Sequence, residues 1–198
     1  MYVASATLVA IRSARYKLGM APNRMSRETL LPLLAAYVLE NGLADVSLRP
    51  LAKAAGTSDR MLLYHFGSKE ELVAGLLEYL ASMYAATLDA AFPDGAATSR
   101  RSLAEAVLQT TAQPDFAPFM RVWWDIVAGC ADGNAHYLAS AGAMGDRLLE
   151  WIETHLPTDD PNPVAGARAV LAVIEGAMML RTIGRGDIGE AGLAALES

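Results

Sequence analysis

The chain has 198 residues and one cysteine, Cys130, which excludes an intramolecular disulfide framework and a cysteine-rich zinc site. A chain of this length buries roughly 70% of its unfolded surface and needs no such staple to fold. The formal net charge is −6, yet residues 1–80 carry nine Lys and Arg against seven Asp and Glu, and the remainder carries seven against fifteen. This asymmetry favours a basic, nucleic-acid-binding module on an acidic body.

Residues 1–25 are expected to form a flexible arm, with Met20 and Met25 as alternative start positions. Residues 3–11 are apolar and the basic residues follow them, which is the reverse of the order in a secretory signal. Contact of this basic arm with DNA stays an open alternative. We expect no apolar run to be as long as the roughly 20 residues that span a bilayer. A single unpaired thiol is typical of a reducing compartment. We therefore expect a cytoplasmic protein without a membrane anchor.

The rest of the chain predicts helices, because apolar residues recur three and four positions apart and no segment alternates like a strand. Glycine, proline, serine and aspartate separate the segments. The fold class is therefore all-α, with a three-helix head, a long connecting helix and a C-terminal bundle. The predicted helices number about nine and span 27–41, 48–55, 58–66, 68–91, 102–111, 115–131, 135–155, 163–185 and 188–196.

Capping residues mark the helix ends in the first part of the chain. Ser26 and Ser47 stand where they would cap the first two helices, and Gly42 stands where the first would end. The segment Ser68-Lys69-Glu70-Glu71 has the pattern of a capping box at the start of the connecting helix.

Two short helices around Gly56, braced by the longer first helix, predict a helix-turn-helix. The second short helix would enter the major groove of DNA. At about 100° per residue, Leu62 and Phe66 face the other helices, with Asp59 and Leu63 beside them. The opposite arc presents Arg60, Met61, Tyr64 and His65.

The predicted DNA-contacting residues combine groups for bases with groups for phosphates. Arg60 can bind guanine O6 and N7 together, and Met61 can contact a thymine methyl group. Hydroxyls and amides at a helix N-terminus suit a phosphate, as does a lysine at the start of the next helix. The predicted set is Thr57, Ser58, Arg60, Met61, Tyr64, His65 and Lys69.

The segment from Leu48 to Leu72 resembles the signature of the TetR family of regulators, and the resemblance extends over residues 27–75. It implies a homodimeric, ligand-responsive repressor that binds a palindromic DNA operator. The strongest elements are Leu51-Ala52-Ala55-Gly56, Tyr64-His65-Phe66 and Ser68-Lys69-Glu70-Glu71-Leu72.

Two positions depart from the family pattern. Met61 stands where a small or hydroxylated residue is usual, and Leu63 stands where the family often has a phosphate-binding tyrosine. Together with the negative net charge of the chain, these departures leave open a second function, that of a small-molecule-binding helical dimer with a weakened DNA-binding head. The predicted domains are the arm at 1–25, a helix-turn-helix domain at 26–72 and a ligand-binding and dimerisation domain at 73–198.

Aromatic and methionine side chains recur at helical spacing in the second domain, and such side chains line adaptable apolar cavities. They predict a pocket for an apolar or aromatic effector, oriented by Arg121, Asp125 or His136. An ordinary bundle core would give the same pattern. The predicted pocket residues are Tyr79, Met83, Phe116, Phe119, Met120, Trp123, Trp124, Tyr137, Met144 and Met178.

The segment 163–185 is apolar nearly all round and rich in small residues, which predicts a two-fold, four-helix interface formed with an adjacent helix. An enzyme is not indicated, because the three histidines match no metal-ligand spacing and no nucleophile elbow or phosphate loop is found. Residues 184–189 fit G-x-G-x-x-G but follow a predicted helix, so we interpret them as an interhelix turn. We expect neither a cofactor nor a metal ion.

Overall fold

The structure of the protein, a computed structural model, describes residues 25–44, 46–92 and 95–195. Over these ranges all regular elements are helical, which confirms the all-α class. Residues 1–24 of the predicted arm lie outside the described residues. The described α-helices are α1 (Arg27–Asn41), α2 (Leu48–Ala54), α3 (Asp59–Phe66), α4 (Lys69–Ala91), α5 (Arg100–Thr111), α6 (Ala117–Ala131), α7 (Ala135–His155), α8 (Pro163–Thr182) and α9 (Gly186–Ala194).

The observed helices differ from the predicted ones mainly in their first and last residues, which depend on local capping. Helix α5 begins two residues early because Ser99 and Ser102 form a reciprocal capping box, with both N–H···Oγ distances at 3.0 Å. A 3₁₀ turn, Pro114–Phe116, precedes α6. Helix α8 ends at Thr182, and Gly184 takes a φ of 78° in the turn that follows. The G-x-G-x-x-G segment therefore opens as the predicted turn and continues into α9.

The chain divides into two compact units. The first contains the described residues up to 87 together with 115–144, and the second contains 88–114 with the residues from 145 onward. Helices α4 and α7 contribute residues to both. In the first unit α1 packs against α2 and α6, and one hydrophobic core runs through the head and α6. The head therefore has no core of its own, and the functional division at residue 72 stays a prediction.

In the second unit α5, α8 and α9 pack against one another. Arg100 at the start of α5 donates to both carboxylate oxygens of Asp160, at 2.8 and 2.7 Å, and these hydrogen bonds hold the pKa of Asp160 below its usual value. A Cβ on Gly166 would lie 2.7 Å from the Arg100 Nε, so any other residue at position 166 would displace the Arg100 guanidinium. Close approach also explains Gly189, whose Cβ would meet the Ala177 backbone at 3.1 Å.

Among the described residues one helix, α8, is long and apolar enough to cross a membrane by length and composition, with 20 residues and a mean hydropathy of 1.5. The sequence expectation that no run reaches this length is therefore wrong. The finding is weak evidence for a membrane, because a core or interface helix has the same composition. Arg168 and Glu175 also lie within α8, and charged side chains are costly at the centre of a bilayer.

Candidate nucleic-acid interface

Helix α3, the predicted recognition helix, is held at its back by two buried side chains. Leu62 and Phe66 are 0% and 3% exposed. A helix of eight residues is too short to be stable alone in water, so this burial fixes its position. The guanidinium of Arg27 lies 5.1 Å from the centroid of the Phe66 ring. It also passes over Gly75 of α4, where a Cβ would lie 2.7 Å from the Arg27 Nη2. Arg27 therefore joins α1, α3 and α4.

The turn between α2 and α3 has the geometry of a helix-turn-helix. Gly56 has a φ of 67°, in the region that favours glycine, and the Thr57 N–H donates to the Ala52 carbonyl at 2.9 Å. Ser58 is extended and caps α3, because its Oγ accepts from the Met61 N–H at 3.3 Å. Thr57 and Ser58 thus stand at the N-terminus of α3, as predicted.

The end of α3 is defined as sharply as its beginning. Gly67 has a φ of 89°, and its N–H donates to the Leu63 carbonyl at 2.8 Å. The predicted capping box follows: the Glu71 N–H donates to the Ser68 Oγ at 3.0 Å, and the Ser68 N–H donates to the Glu71 Oε2 at 3.1 Å. Lys69 consequently lies exposed in the first turn of α4.

The exposed arc of α3 has a polar centre and apolar flanks. Arg60 is exposed, and Tyr64 is the most exposed large apolar or aromatic side chain among the described residues, at 78%. Met61 and Leu63 are each 37% exposed. At about 100° per residue, Arg60 and Tyr64 lie opposite the buried pair, and Met61 and Leu63 lie on either side of them.

Several positions differ from the sequence prediction. Asp59 and Leu63, predicted to lie against the other helices, are exposed, Leu63 at 37%, because only a narrow arc of this short helix is buried. His65 was predicted to be exposed but is half-buried, and its Nε2 has no hydrogen-bond partner among the described residues. Its ring packs against Tyr64 edge to face, with centroids 5.2 Å apart. Ser47 occupies the cap position of α2 but makes no capping hydrogen bond through its side chain.

Two exposed cations were missed by the sequence reasoning. Arg49 and Lys53 lie four residues apart on α2 and are both exposed, so they share one face of that helix. The first helix of a helix-turn-helix crosses the DNA backbone, where such charges contact phosphates. Their spacing of four residues on a predicted helix could have identified them from the sequence. With Arg60 and Lys69, they are exposed cations of the head.

Nine of the ten predicted pocket residues lie in the first unit, and Met178 lies in the second. Met83 and Phe116 are buried, and the Phe116 ring centroid lies 5.9 Å from that of Tyr84 and 6.0 Å from that of Phe119. Met120 and Trp124 are half-buried. The remaining five are partly buried side chains that pack on the core shared with the head, namely Tyr79, Phe119, Trp123, Tyr137 and Met144.

Burial changes the acidity of two of these side chains. It raises the pKa of Tyr79, and it raises the pKa of Tyr137 together with the negative charge of Asp125. Asp125 and Arg121, predicted to orient an effector, hydrogen-bond to backbone groups at the end of α1. His136 is exposed near the start of α7. The effector-binding role of this cluster stays a prediction.

A short helix anchored at its back, exposed at its front and preceded by a glycine turn defines a helix-turn-helix protein. Residues 35–76 match the family described as bacterial regulatory proteins, tetR family. The HTH-type transcriptional repressor KstR2 of Mycobacterium tuberculosis is 39% identical over 67 residues, which make up 32% of this chain. The match spans 34% of the length of that repressor. The helix-turn-helix segment is therefore similar in sequence to the DNA-binding segment of tetR-family regulators.

Solved structures share the fold over most of the chain. A protein from Streptomyces coelicolor A3(2), described as a transcriptional regulator, is 22% identical with a TM-score of 0.67 and covers 85% of this chain and 95% of its own. A TetR-family regulator from a Rhodococcus species is 17% identical with a TM-score of 0.63, over 84% of this chain and 93% of its own. These likenesses show the fold alone.

The N-terminal caps of α2 and α3 allow a matched test of whether the Ser58 capping hydrogen bond stabilises the fold. Ser58→Ala removes a cap whose hydrogen bond is present and should lower the free energy of unfolding by about 1 kcal/mol. Ser47→Ala removes a hydroxyl that makes no such bond and should cost less. Urea unfolding followed by circular dichroism measures both. Ser58→Asp, which keeps an acceptor, should retain the stability, and equal losses for the two alanine variants would contradict the assignment.

Proposed function

We propose that this protein is a homodimeric repressor of the TetR family that binds a palindromic DNA operator through α3 and is released by a small-molecule effector. The observation that carries this function is the two-sided character of α3. Leu62 and Phe66 fix its back, while Arg60 and Tyr64 stand free at its front. A helix presented in this way fits the major groove. The compartment that follows is the cytoplasm, where the operator lies.

The exposed polar groups divide into base-reading and phosphate-binding sets. Arg60, at the centre of the exposed arc, is placed to bind a guanine with two hydrogen bonds. Tyr64 is placed beside it to donate to a phosphate. Phosphate contacts also follow for Thr57 and Ser58 at the start of α3, for Lys69 at the start of α4, and for Arg49 and Lys53 on α2. The half-buried His65 supports Tyr64 from the side in this arrangement.

The apolar flanks of α3 add a second kind of base contact. Met61 and Leu63 are exposed although both are apolar, and each lies beside the Arg60–Tyr64 centre. The C5 methyl group of thymine is the apolar feature of the major groove. We therefore expect the operator to place thymines beside the base read by Arg60.

Selection of operator duplexes from a random pool tests the DNA-binding function directly. The wild-type chain should enrich a palindromic sequence. Arg60→Ala should relax the choice at one base position of each half-site, whereas Lys69→Ala should weaken binding to all sequences alike and reduce the salt slope by about 1. Gel shifts at low and moderate salt measure both effects.

The matched control for Arg60 is Arg101→Ala, which removes an exposed arginine from α5, outside the head. It should leave sequence choice and affinity unchanged. If the wild-type chain enriches no duplex at low salt, the repressor function fails. The alternative, an effector-binding dimer with a weakened head, would then account for the apolar residues on α3.

Deoxyuridine in place of thymine removes only the C5 methyl group and so tests the flanks separately. For the wild-type chain, removal of each methyl group that it touches should reduce affinity about fourfold, from about 0.8 kcal/mol per buried methyl-sized group. Leu63→Ala or Met61→Ala should be insensitive to the substitution at the thymine that its side chain touches. Titration of matched thymine and deoxyuridine duplexes measures this coupling. Equal sensitivity of wild type and both variants would show that the methyl groups are read by other residues.

Helix α8 supports the proposed dimer. The exposed residues Val164, Arg168, Ala172, Met179 and Ile183 recur at spacings of four or seven and form one stripe along α8 and its end. Val164, Met179 and Ile183 are 47%, 49% and 65% exposed. A stripe of exposed residues that is apolar except for Arg168 is compatible with an interface. A second copy of α8 covers it in a two-fold dimer, in which each stripe packs on the same stripe of its partner.

A carboxylate in this stripe should weaken the dimer, because two-fold symmetry places two added charges in one mostly apolar interface. Ala172→Asp is expected to sediment as a monomer at concentrations at which the wild-type chain is dimeric. Its operator affinity should fall because a monomer binds only one half-site. Ala86→Asp, an exposed alanine of α4, is the control and should remain dimeric. A dimeric Ala172→Asp would place the interface elsewhere.

The proposed effector is an apolar or aromatic small molecule bound among the aromatic and methionine side chains of the first unit. These side chains pack on the same core as the head. A ligand that rearranges them therefore acts on the packing that positions α3. A difference of about 1–3 kcal/mol in the affinity of the effector for the two states is sufficient for such regulation.

A further inference from the structure

Two side chains of α6 hold the backbone at the end of α1. The Asp125 Oδ2 accepts hydrogen bonds from the N–H groups of Leu43 and Ala44, at 2.7 and 3.2 Å. One turn earlier on α6, the Arg121 Nη1 donates to the Glu40 carbonyl at 3.1 Å. Three hydrogen bonds thus join the segment 40–44 of the head to two residues of α6.

The local backbone is shaped to receive the carboxylate. Gly42 ends α1 with a φ of 87°, in the region that favours glycine, and a Cβ there would lie 3.2 Å from the Asp125 Oδ2. This turn aims two consecutive N–H groups at one oxygen. Hydrogen bonds to a charged acceptor are stronger than those to a neutral one, so the carboxylate adds directional contacts to the apolar packing between α1 and α6.

These hydrogen bonds affect the recognition helix through α1. Leu34 and Val38 of α1 are fully buried in the core that also contains Leu62 and Phe66 of α3. Arg27 at the other end of α1 lies over the Phe66 ring. Because α1 and α3 pack in one core, they keep a fixed mutual direction, and the contacts of α1 with α6 set the direction of both.

We infer that Asp125, assisted by Arg121, is a positioning residue that fixes the orientation of the DNA-binding head on α6 and thereby the half-site spacing that the dimer accepts. This inference rests on the proposed function. With the hydrogen bonds of Asp125 and Arg121 in place, each head has one orientation, and an operator with the wrong spacing is rejected. Without these hydrogen bonds, only apolar contacts, including those with Val122 and Ile126, hold the head on α6, and operators of neighbouring spacing bind with more similar affinity.

Half-site spacing provides a measurement that a merely stabilising role would not change. Successive half-sites lie about 34–36 Å or one helical turn apart, so one inserted base pair shifts a half-site by about 3.4 Å and rotates it by roughly 35°. The probes are the palindromic duplex enriched by the full wild-type chain and two versions with one central base pair inserted or removed. The wild-type chain should prefer the enriched duplex by about tenfold or more.

Asp125→Ala should bring the three affinities within about threefold of one another, and Arg121→Ala should do so in part. Asp125→Asn keeps an acceptor oxygen at the same reach and should restore much of the selectivity. The amide protons of Leu43 and Ala44 should exchange faster in Asp125→Ala than in the wild-type chain. Asp132→Ala, an exposed aspartate just past the end of α6, is the matched control and should behave as the wild type.

The outcomes separate this inference from the function on which it rests. A folded Asp125→Ala that discriminates spacing as strongly as the wild type would overturn the positioning role while leaving the repressor function intact. If Asp125→Ala does not fold, the same result for a folded Arg121→Ala would overturn it. A wild-type chain that binds no duplex would overturn both proposals.

Discussion

The structure of the head depends on the burial of two side chains, Leu62 and Phe66, on one side of an eight-residue helix. Such a helix has too few internal hydrogen bonds to persist alone, so its direction comes from the core to which it is attached. Burial of Leu62 and Phe66 is worth roughly 1.5–3 kcal/mol each relative to exposure. Because only one arc is covered, the other arc remains free to contact a ligand such as DNA.

That core does not end with the helix-turn-helix. It includes Val122 and Ile126 of α6, and the aromatic side chains predicted to bind an effector pack against it. A tightly packed interior cannot absorb a change locally, so a rearrangement at one side is transmitted to the other. The hydrogen bonds from Leu43 and Ala44 to Asp125 also restrict the orientation of α1 on α6, because hydrogen bonds constrain orientation more narrowly than apolar contacts.

The helices were predicted well because their signals are local. The capping box of Ser68 and Glu71 formed as the sequence indicated, since both partners lie within one turn. Ser47 has the same residue type in the same position relative to its helix, yet its hydroxyl makes no capping bond. Whether a cap closes depends on side-chain direction, and a pattern of residue types does not contain it.

The recognition helix shows the same division between pattern and packing. Periodicity identified Leu62 and Phe66 as buried and Arg60 and Tyr64 as exposed, because these pairs lie at the two extremes of the helix. It failed at the borders of the arc, for Leu63 and His65, where a rotation of a few tens of degrees decides exposure. That rotation is set by what α1, α2 and α4 cover.

The sequence by itself determined that this protein is all-α, where its helices lie and which segment forms the helix-turn-helix, because these follow from contacts within a few residues. Only the tertiary structure decided that Asp125 holds the backbone at Leu43, 82 residues away in the chain, and that Leu63 faces outward. Such pairings depend on how separate helices meet. That meeting is fixed by the packing of many side chains at once, which no local spacing records.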